Sequence, residues 1–261
     1  MNEEIIVVGA GACGLMAAYE LCKEGYKITV LEAQNRLGGR IYTEYNTASS
    51  THTELGAEFV HGDLPVTLNL LKQAGINYHK TKGEMWRVRY DELKQEDSFI
   101  EGWDVFEDKL KELKEDMTID EFLSRYFSES KYDKLKKSVR GYAAGYDTAD
   151  PATASVMALG KEWFGEEDMK SYRLENGYGE MIEYLANQCK QQGSTIHLSS
   201  IVKEIQWSEN NVKVITNNST HVANKVIITI PLTLYQADED ELGVIKFTPP
   251  IPEKIAAARQ M

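Results

Sequence analysis

Apolar residues in this chain follow two patterns. Short unbroken runs, Ile5–Val8 and Ile28–Leu31, suit strands buried on both faces. Between them Leu15, Ala18, Leu21 and Cys22 recur at helical spacing, and Gly25 is a natural helix stop. Residues 34–63 look loop-rich, with the polar stretch Thr47–Thr53 as a surface turn. Asp63 can cap a helix that has Pro65 in its first turn and ends at Gly75, with Leu64, Leu68 and Leu71 on its apolar face. The alternation along Glu84–Tyr90 predicts a half-buried strand, and Asp91–Asp97 a charged turn. Residues 103–170 read as mostly helical. Phe106, Leu110 and Leu113 share a face; Thr118 and Glu121 form a capping box; Asp150-Pro151 starts another helix carrying Val156, Leu159 and Trp163. The aromatic residues of this block read as core. Gly177-Tyr178-Gly179 precedes a helix with Met181, Tyr184 and Leu185, which Gly193 ends. Ile196–Leu198, Ile201–Trp207, Val212–Thr216 and Val226–Ile230 read as strands joined by Asn- and Ser-rich turns.

The first strand and helix meet at Gly9-Ala10-Gly11-Ala12-Cys13-Gly14, a G-x-G-x-x-G spacing. Gly9 allows a tight turn, Gly11 lets a pyrophosphate approach the backbone, and Gly14 lets helix and strand pack closely. The free N–H groups and dipole of the helix start favour phosphate. Glu32 lies 18 residues past Gly14, at the end of the second strand. A carboxylate there accepts hydrogen bonds from ribose hydroxyls and repels a 2′-phosphate. Such spacing alone also fits a glycine-rich turn. The ordered context of strand, glycines, helix, strand and acid favours a dinucleotide.

Arg36-Leu37-Gly38-Gly39-Arg40 follows directly. Two glycines beside two arginines offer a second backbone approach with fixed positive charge, which points to FAD. The alternative is a surface turn with two solvated arginines.

These segments resemble the flavin-containing amine oxidase family, which includes monoamine, polyamine and L-amino-acid oxidases and the flavin histone demethylases. The likeness is carried by Val8-Gly9-Ala10-Gly11 through Gly14-Leu15, Leu31-Glu32-Ala33, the Arg36–Arg40 turn, Leu55–Gly62, Asn176-Gly177-Tyr178-Gly179 and the Val202–Leu232 stretch. Residues 80–170 match only loosely. The resemblance implies cofactor contacts at Gly9, Ala10, Gly11, Gly14, Glu32, Ala33, Gly38, Gly39 and Arg40. It places Gly56, Ala57 and Glu58 under the flavin and the Val202 backbone against the adenine. Glu58 also reads as a buried acid paired with an arginine. His61 is a candidate substrate contact, though its residues favour a capped turn histidine.

The resemblance further implies an α/β architecture: a Rossmann-like FAD-binding domain with an inserted, mostly helical substrate or cap domain and a β-rich return segment. The expected boundaries are 1–63 for the first part of the FAD-binding domain, 64–176 for the cap, 177–235 for the return and 236–261 for the start of a further substrate-domain segment. A helix is expected from Glu253 to Met261. Family members continue well beyond that point, through the lysine opposite the flavin and the walls of the amine pocket. No catalytic residue is therefore assigned. The chain by itself is expected to lack turnover, and self-association or a partner chain would supply the remaining half.

Bulk properties narrow the partners. The 261 residues carry a net charge of −12, which disfavours nucleic acid and anionic membrane. The three cysteines form no C-x-x-C pair and the five histidines no H-x-x-x-H spacing, so neither a disulfide framework nor a metal is expected. No signal peptide and no apolar run of spanning length is evident, which predicts a cytoplasmic protein. The expected function is oxidation of a small amine by hydride transfer to FAD, giving imine and then peroxide. The alternatives are a flavin desaturase or protoporphyrinogen-oxidase-like enzyme, and a truncated nucleotide-binding fragment without activity.

Overall fold

The computed structural model describes residues 3–46, 51–82, 84, 86–89, 91–95, 100–164, 170–238 and 241–260. The chain divides into two compact units. Met1–Phe59, Pro65–His79 and Arg173–Met261 form the first, Val60–Leu64 and Lys80–Tyr172 the second.

In chain order the elements begin with β1 (Glu4–Val8), α1 (Ala12–Lys23), β2 (Lys27–Leu31), β3 (Thr43–Asn46), β4 (Thr51–Glu54), β5 (Phe59–His61), α2 (Pro65–Ala74) and β6 (Tyr78–Lys80). They continue through β7 (Trp86–Arg89), β8 (Glu92–Gln95), α3 (Trp103–Lys111), α4 (Ile119–Tyr126), α5 (Asp133–Gly145), α6 (Val156–Trp163) and β9 (Ser171–Leu174). The last are α7 (Gly179–Gln191), β10 (Thr195–His197), β11 (Val202–Ser208), β12 (Asn211–Thr216), β13 (Thr220–Ala223), β14 (Lys225–Ile228), α8 (Thr233–Gln236), β15 (Lys246–Thr248) and α9 (Pro252–Ala258).

The first unit is an α/β structure built on a parallel sheet of order β10-β2-β1-β14. Its two apolar runs are continuous because both sheet faces are covered. Ile6, Val8 and Leu31 enter a core with Val202, Ile205, Val212 and Val214 from the second sheet, β13-β12-β11-β15. Alternation turns Ile5 and Val7, also buried, to the opposite face. Helices α1 and α7 pack together, with Cys22 Sγ 2.7 Å from Ser194 Oγ. Burial, with Cys22 as its neighbour, pushes the Cys189 thiol up to about 12. Cys22 and Cys189 are free thiols.

The second unit surrounds an aromatic core. Phe106, Phe122 and Phe127 are fully buried, with Leu123, Leu135, Val139 and Val156 beside them. The capping box forms as expected: Glu121 N–H donates to Thr118 Oγ1 at 3.2 Å, and Thr118 N–H to Glu121 Oε2 at 3.1 Å. Asp116 joins the starts of α4 and α6. Its Oδ2 accepts the Ser155 hydroxyl at 2.6 Å, and Oδ1 accepts the Met157 N–H at 3.2 Å.

Several elements differ from expectation. Asp150-Pro151 forms a turn, because Asp150 Oδ1 takes the Ala152 N–H and its carbonyl takes the N–H of Thr153 and Ala154. The helix starts at Val156 instead, with Ser155 as its cap. Asp63 binds Lys170 and Tyr172 rather than capping α2, and Leu64 is exposed. Leu70 and Leu71 are the buried face of α2, which packs on α7. That packing places residues 65–79 in the first unit rather than in one 64–176 block. Thr51–Thr53 is strand, paired with β3, so residues 34–63 hold a hairpin; positions 47–50 lie outside the described residues. Glu92–Gln95 is also strand, paired with β7. Trp86 and Val88 on β7 are exposed rather than half-buried, while Met85, Tyr90 and positions 96–97 lie outside the described residues. The last helix ends at Ala258.

Phe106 contacts Trp103, Phe122 and Phe127 with ring centroids 5.3, 5.3 and 6.0 Å away. Phe106→Ala is expected to cost the second unit roughly 3–5 kcal/mol through the cavity it leaves. Urea unfolding followed by near-ultraviolet circular dichroism checks this; an unchanged midpoint contradicts it.

Candidate functional site

Three strand ends converge in the first unit. β1, β2 and β14 run parallel, so Val8, Leu31 and Thr229 meet at the carboxyl edge of the sheet. β2 and β14 flank β1 on its two sides. In open α/β sheets ligands bind outside the carboxyl ends of the strands. A cleft of about 640 Å³ opens at this edge. Its lining includes Gly9, Gly11, Glu32, Ala33, Gly38, Gly39, Arg40, Ala57 and Val202.

The loop after β1 is held from both sides. Ala10 N–H donates to Glu32 Oε2 at 2.7 Å, and Gln34 N–H to Glu32 Oε1 at 2.9 Å. Glu32 is only 7% exposed, and the two N–H donors offset the cost of burying its polar oxygens. On the other side, the Thr229 hydroxyl donates to the Val8 carbonyl at 2.9 Å. The second glycine turn then closes on the first, with Gly38 N–H donating to the Ala10 carbonyl at 2.9 Å.

The glycines divide into two kinds. A Cβ on Gly14 would lie 1.9 Å from the Gly9 carbonyl oxygen, so glycine there is demanded by the protein's own packing. A Cβ on Gly11 would meet nothing nearer than 3.8 Å. Gly11 caps α1, no side chain caps that helix start, and the first turn holds no acid. The vacant volume beside Gly11 and the N–H groups at the start of α1 therefore face the same cleft. This arrangement can take an anion against the backbone.

The two arginines also divide. The Arg36 guanidinium donates to the carbonyls of Gly39 at 2.9 Å and Leu37 at 3.1 Å and lies 4.3 Å from the Tyr42 ring centre. It builds the turn. Arg40 lines the cleft, is exposed, and its guanidinium makes no hydrogen bond or ion pair among the described residues. Fixed positive charge at the cleft thus comes from Arg40, not from both.

Not every expected residue reaches the cleft. Ala10 is buried in the loop and contributes through its backbone. Gly56 packs against Arg40, where a Cβ would lie 2.1 Å from the Arg40 carbonyl oxygen, and does not line the cleft. Glu58 is also outside the lining. It is half-buried and paired with Arg173 Nη2 at 2.7 Å. His61 belongs to the second unit, where Nδ1 lies 3.2 Å from Ser171 Oγ. Conversely, Ser200, Thr229, Pro231, Leu234 and Ile245 line the cleft without having been expected. Of these, Thr229 and Pro231 lie in the Val202–Leu232 stretch that carried the family likeness, Thr229 within the expected strand Val226–Ile230. Among the described residues no cluster suits a metal ion, and no helix is long and apolar enough to cross a membrane.

The family model for flavin containing amine oxidoreductases matches residues 12–96 and 81–261. The chain belongs to the flavin-containing amine oxidoreductase family. The human protein Lysine-specific histone demethylase 2 is 31% identical over 280 residues, covering 97% of this chain and 32% of that protein. Polyamine oxidase 2 of Arabidopsis thaliana is 29% identical over 285 residues, covering 97% of this chain and 54% of that one. The solved structure of cyclohexylamine oxidase from Brevibacterium oxydans superposes with a TM-score of 0.78 at 16% identity, covering 99% of this chain and 63% of its own. The last likeness speaks for the fold. The chain spans 32% to 63% of the length of these relatives. FAD is the family's cofactor, as the paired glycine turns suggested.

The glycine contrast gives a direct test. Gly14→Ala is expected to lower the melting temperature, because the loop must move to admit the methyl group. Gly11→Ala is expected to leave it unchanged while weakening any ligand of the cleft. Thermal melts of both variants check this; equal melting temperatures contradict it.

Proposed function

We propose that the first unit holds FAD in this cleft and that the chain serves an oxidoreductase that acts on an amine. The observation that carries the reading is the open volume at Gly11, beside an uncapped helix start and the unpaired Arg40. A dinucleotide pyrophosphate supplies the two negative charges such a place would hold.

In this reading the start of α1 and Arg40 bind the pyrophosphate. Glu32 accepts ribose hydroxyls through the lone pairs left by its bonds to Ala10 and Gln34. Gly38 and Gly39 bring a second backbone segment up to the phosphates. Ala57 leaves space at the cleft wall, and Val202 borders it from β11. Bound FAD supplies the hydride acceptor for oxidising an amine carbon–nitrogen bond. The relatives' names, a demethylase of lysine and oxidases of polyamines, support an amine as substrate.

Glu32→Ala should weaken flavin retention by roughly 1.5–3 kcal/mol for each charge-assisted bond lost, and should also loosen the Ala10 loop. Flavin absorbance after dialysis reads this, and full retention would remove Glu32 from the site. The reaction is tested by adding monoamines, polyamines and L-amino acids to the FAD-loaded protein without oxygen. Bleaching of the flavin band by an amine is the expected result. A colourless protein after FAD addition refutes the cofactor assignment; a yellow one bleached by polyenes and by no amine refutes the substrate class.

A further inference from the structure

One wall of the cleft lies outside the glycine turns. Ser200, Ile201 and Val202 form it, between β10 and β11. This segment is held from two sides. Towards the parallel sheet, Ser199 N–H donates to the Gln34 carbonyl and Ser200 N–H to the Glu32 carbonyl, each at 2.8 Å. Glu32 N–H returns a bond to the His197 carbonyl at 2.9 Å. On the other side stands the turn between β12 and β13. Asn217 Oδ1 accepts the Ile201 N–H at 3.0 Å, and the Asn217 N–H donates to the Ile201 carbonyl at 2.9 Å. Its Nδ2 donates to the Ser199 carbonyl at 3.3 Å. Ser199 has a φ of +52°, in the left-handed region that a residue with a side chain keeps only where its surroundings hold it.

That turn is tied to a pair of histidines. Ser219 Oγ lies 3.0 Å from Thr216 Oγ1 and 2.9 Å from His221 Nε2. The His221 and His197 rings meet with centroids 5.1 Å apart and planes 52° apart. His221 comes from β13, an edge strand of the second sheet, and His197 from β10, an edge strand of the parallel sheet. Both are half-buried. The residues across the ladders are apolar: Val214 on β12 pairs with His221, and Leu31 on β2 with His197. Lys213, beside Val214, turns by alternation to the other face of the sheet. Glu32, beside Leu31, directs its carboxylate to the N–H groups of Ala10 and Gln34. Past the end of β13, Asn224 N–H meets the Glu4 carbonyl; the Glu4 carboxylate is paired with Lys27, and Glu3 with Lys225. Among the described residues neither ring has an ion pair with a carboxylate. Burial first, and His197 second, hold the His221 imidazole below the ordinary histidine range.

Acid therefore acts on this junction in one direction. A histidine that the fold keeps neutral takes its proton more readily once the fold opens around it, so acid favours the open form. Two imidazolium rings side by side would also repel. The stability at stake is present above the ordinary histidine value of about 6.5 and is lost as pH falls through the lowered one. We propose that His197 and His221 form a proton-operated latch on the Ser200–Val202 wall. Neutral, they keep the β12–β13 turn docked on the wall; protonated, they part and loosen both the wall and its grip on a dinucleotide. The ligand part of this inference rests on the FAD reading given above.

The test is titration of the purified protein with FAD, read by flavin fluorescence at pH 7.5 and pH 5.5 and constant ionic strength, together with thermal melts of the ligand-free protein at both pH values. The wild type should bind FAD about tenfold more weakly at pH 5.5, the ratio set by uptake of one proton at an ordinary histidine, and should melt at a lower temperature there. His221→Gln keeps a polar partner for Ser219 but takes no proton. It should bind like the wild type at pH 7.5 and remove most of both pH differences. His197→Gln should do the same, and it decides the matter if the first variant does not fold. Equal acid sensitivity in the wild type and the variants overturns the latch and leaves the FAD reading standing. Flattened melts with an unaltered pH dependence of FAD binding also overturn it, because the wall would then not follow the rings. A protein that takes no FAD at either pH refutes the cofactor reading. The ligand-free melts then decide the latch by themselves: a histidine-dependent fall on acidification supports it, and equal falls in all three proteins overturn it.

Discussion

The bond from the Ala10 N–H to the Glu32 carboxylate joins the loop after β1 to the end of β2. Much of the first unit depends on that tie. It fixes the loop between Gly9 and Gly11 against the sheet, while Thr229 holds the same loop from β14. With the loop held, α1 can start at Ala12 and pack Gly14 directly against the Gly9 carbonyl. The second glycine turn then bonds back to Ala10. A buried acid would be costly without such donors, and both its oxygens have one. One carboxylate thus shapes the cleft wall and stands ready at its edge.

The same economy separates groups fixed by the protein's own packing from cleft-lining groups that look alike in sequence. Gly14 and Gly56 are glycines because backbone carbonyls occupy the place of a side chain. Gly11 is a glycine beside open volume. Arg36 satisfies carbonyls of its own turn, whereas Arg40 does not. In each pair the feature that distinguishes the members is the neighbour brought up by the fold, so residue type alone is no guide.

The second unit follows another logic. Its stability comes from fully buried phenylalanines, and its polar groups act mainly as staples at helix starts, such as Thr118, Glu121, Asp116 and Ser155. Asp147 departs from this, because it meets an indole N–H just past a helix end and has no ion pair among the described residues. Departures from local economy of this kind are where function is most worth seeking.

The sequence by itself determined the opening strands, α1, the glycine turns and the acid at the end of β2, because these depend on residues close in the chain. The apolar runs had to be buried on both faces, and the glycine spacing constrained the turn before any tertiary contact was known. The Thr118 capping box was legible for the same reason, as a bond across three residues. Tertiary structure decided what local chemistry left open. Asp63 had two futures, a helix cap or a pair with Lys170 and Tyr172, and the distant partners won. Strands β13 and β15 are short and half-polar, and they exist because β12 and β11 offer them edges. Ser200, Thr229 and Ile245 became cleft residues only when the parallel sheet placed their segments beside Gly9. The physical reason is range: turns, caps and periodicity are fixed within a few residues, whereas a cleft is made by chain segments some two hundred residues apart that meet only after the core has formed.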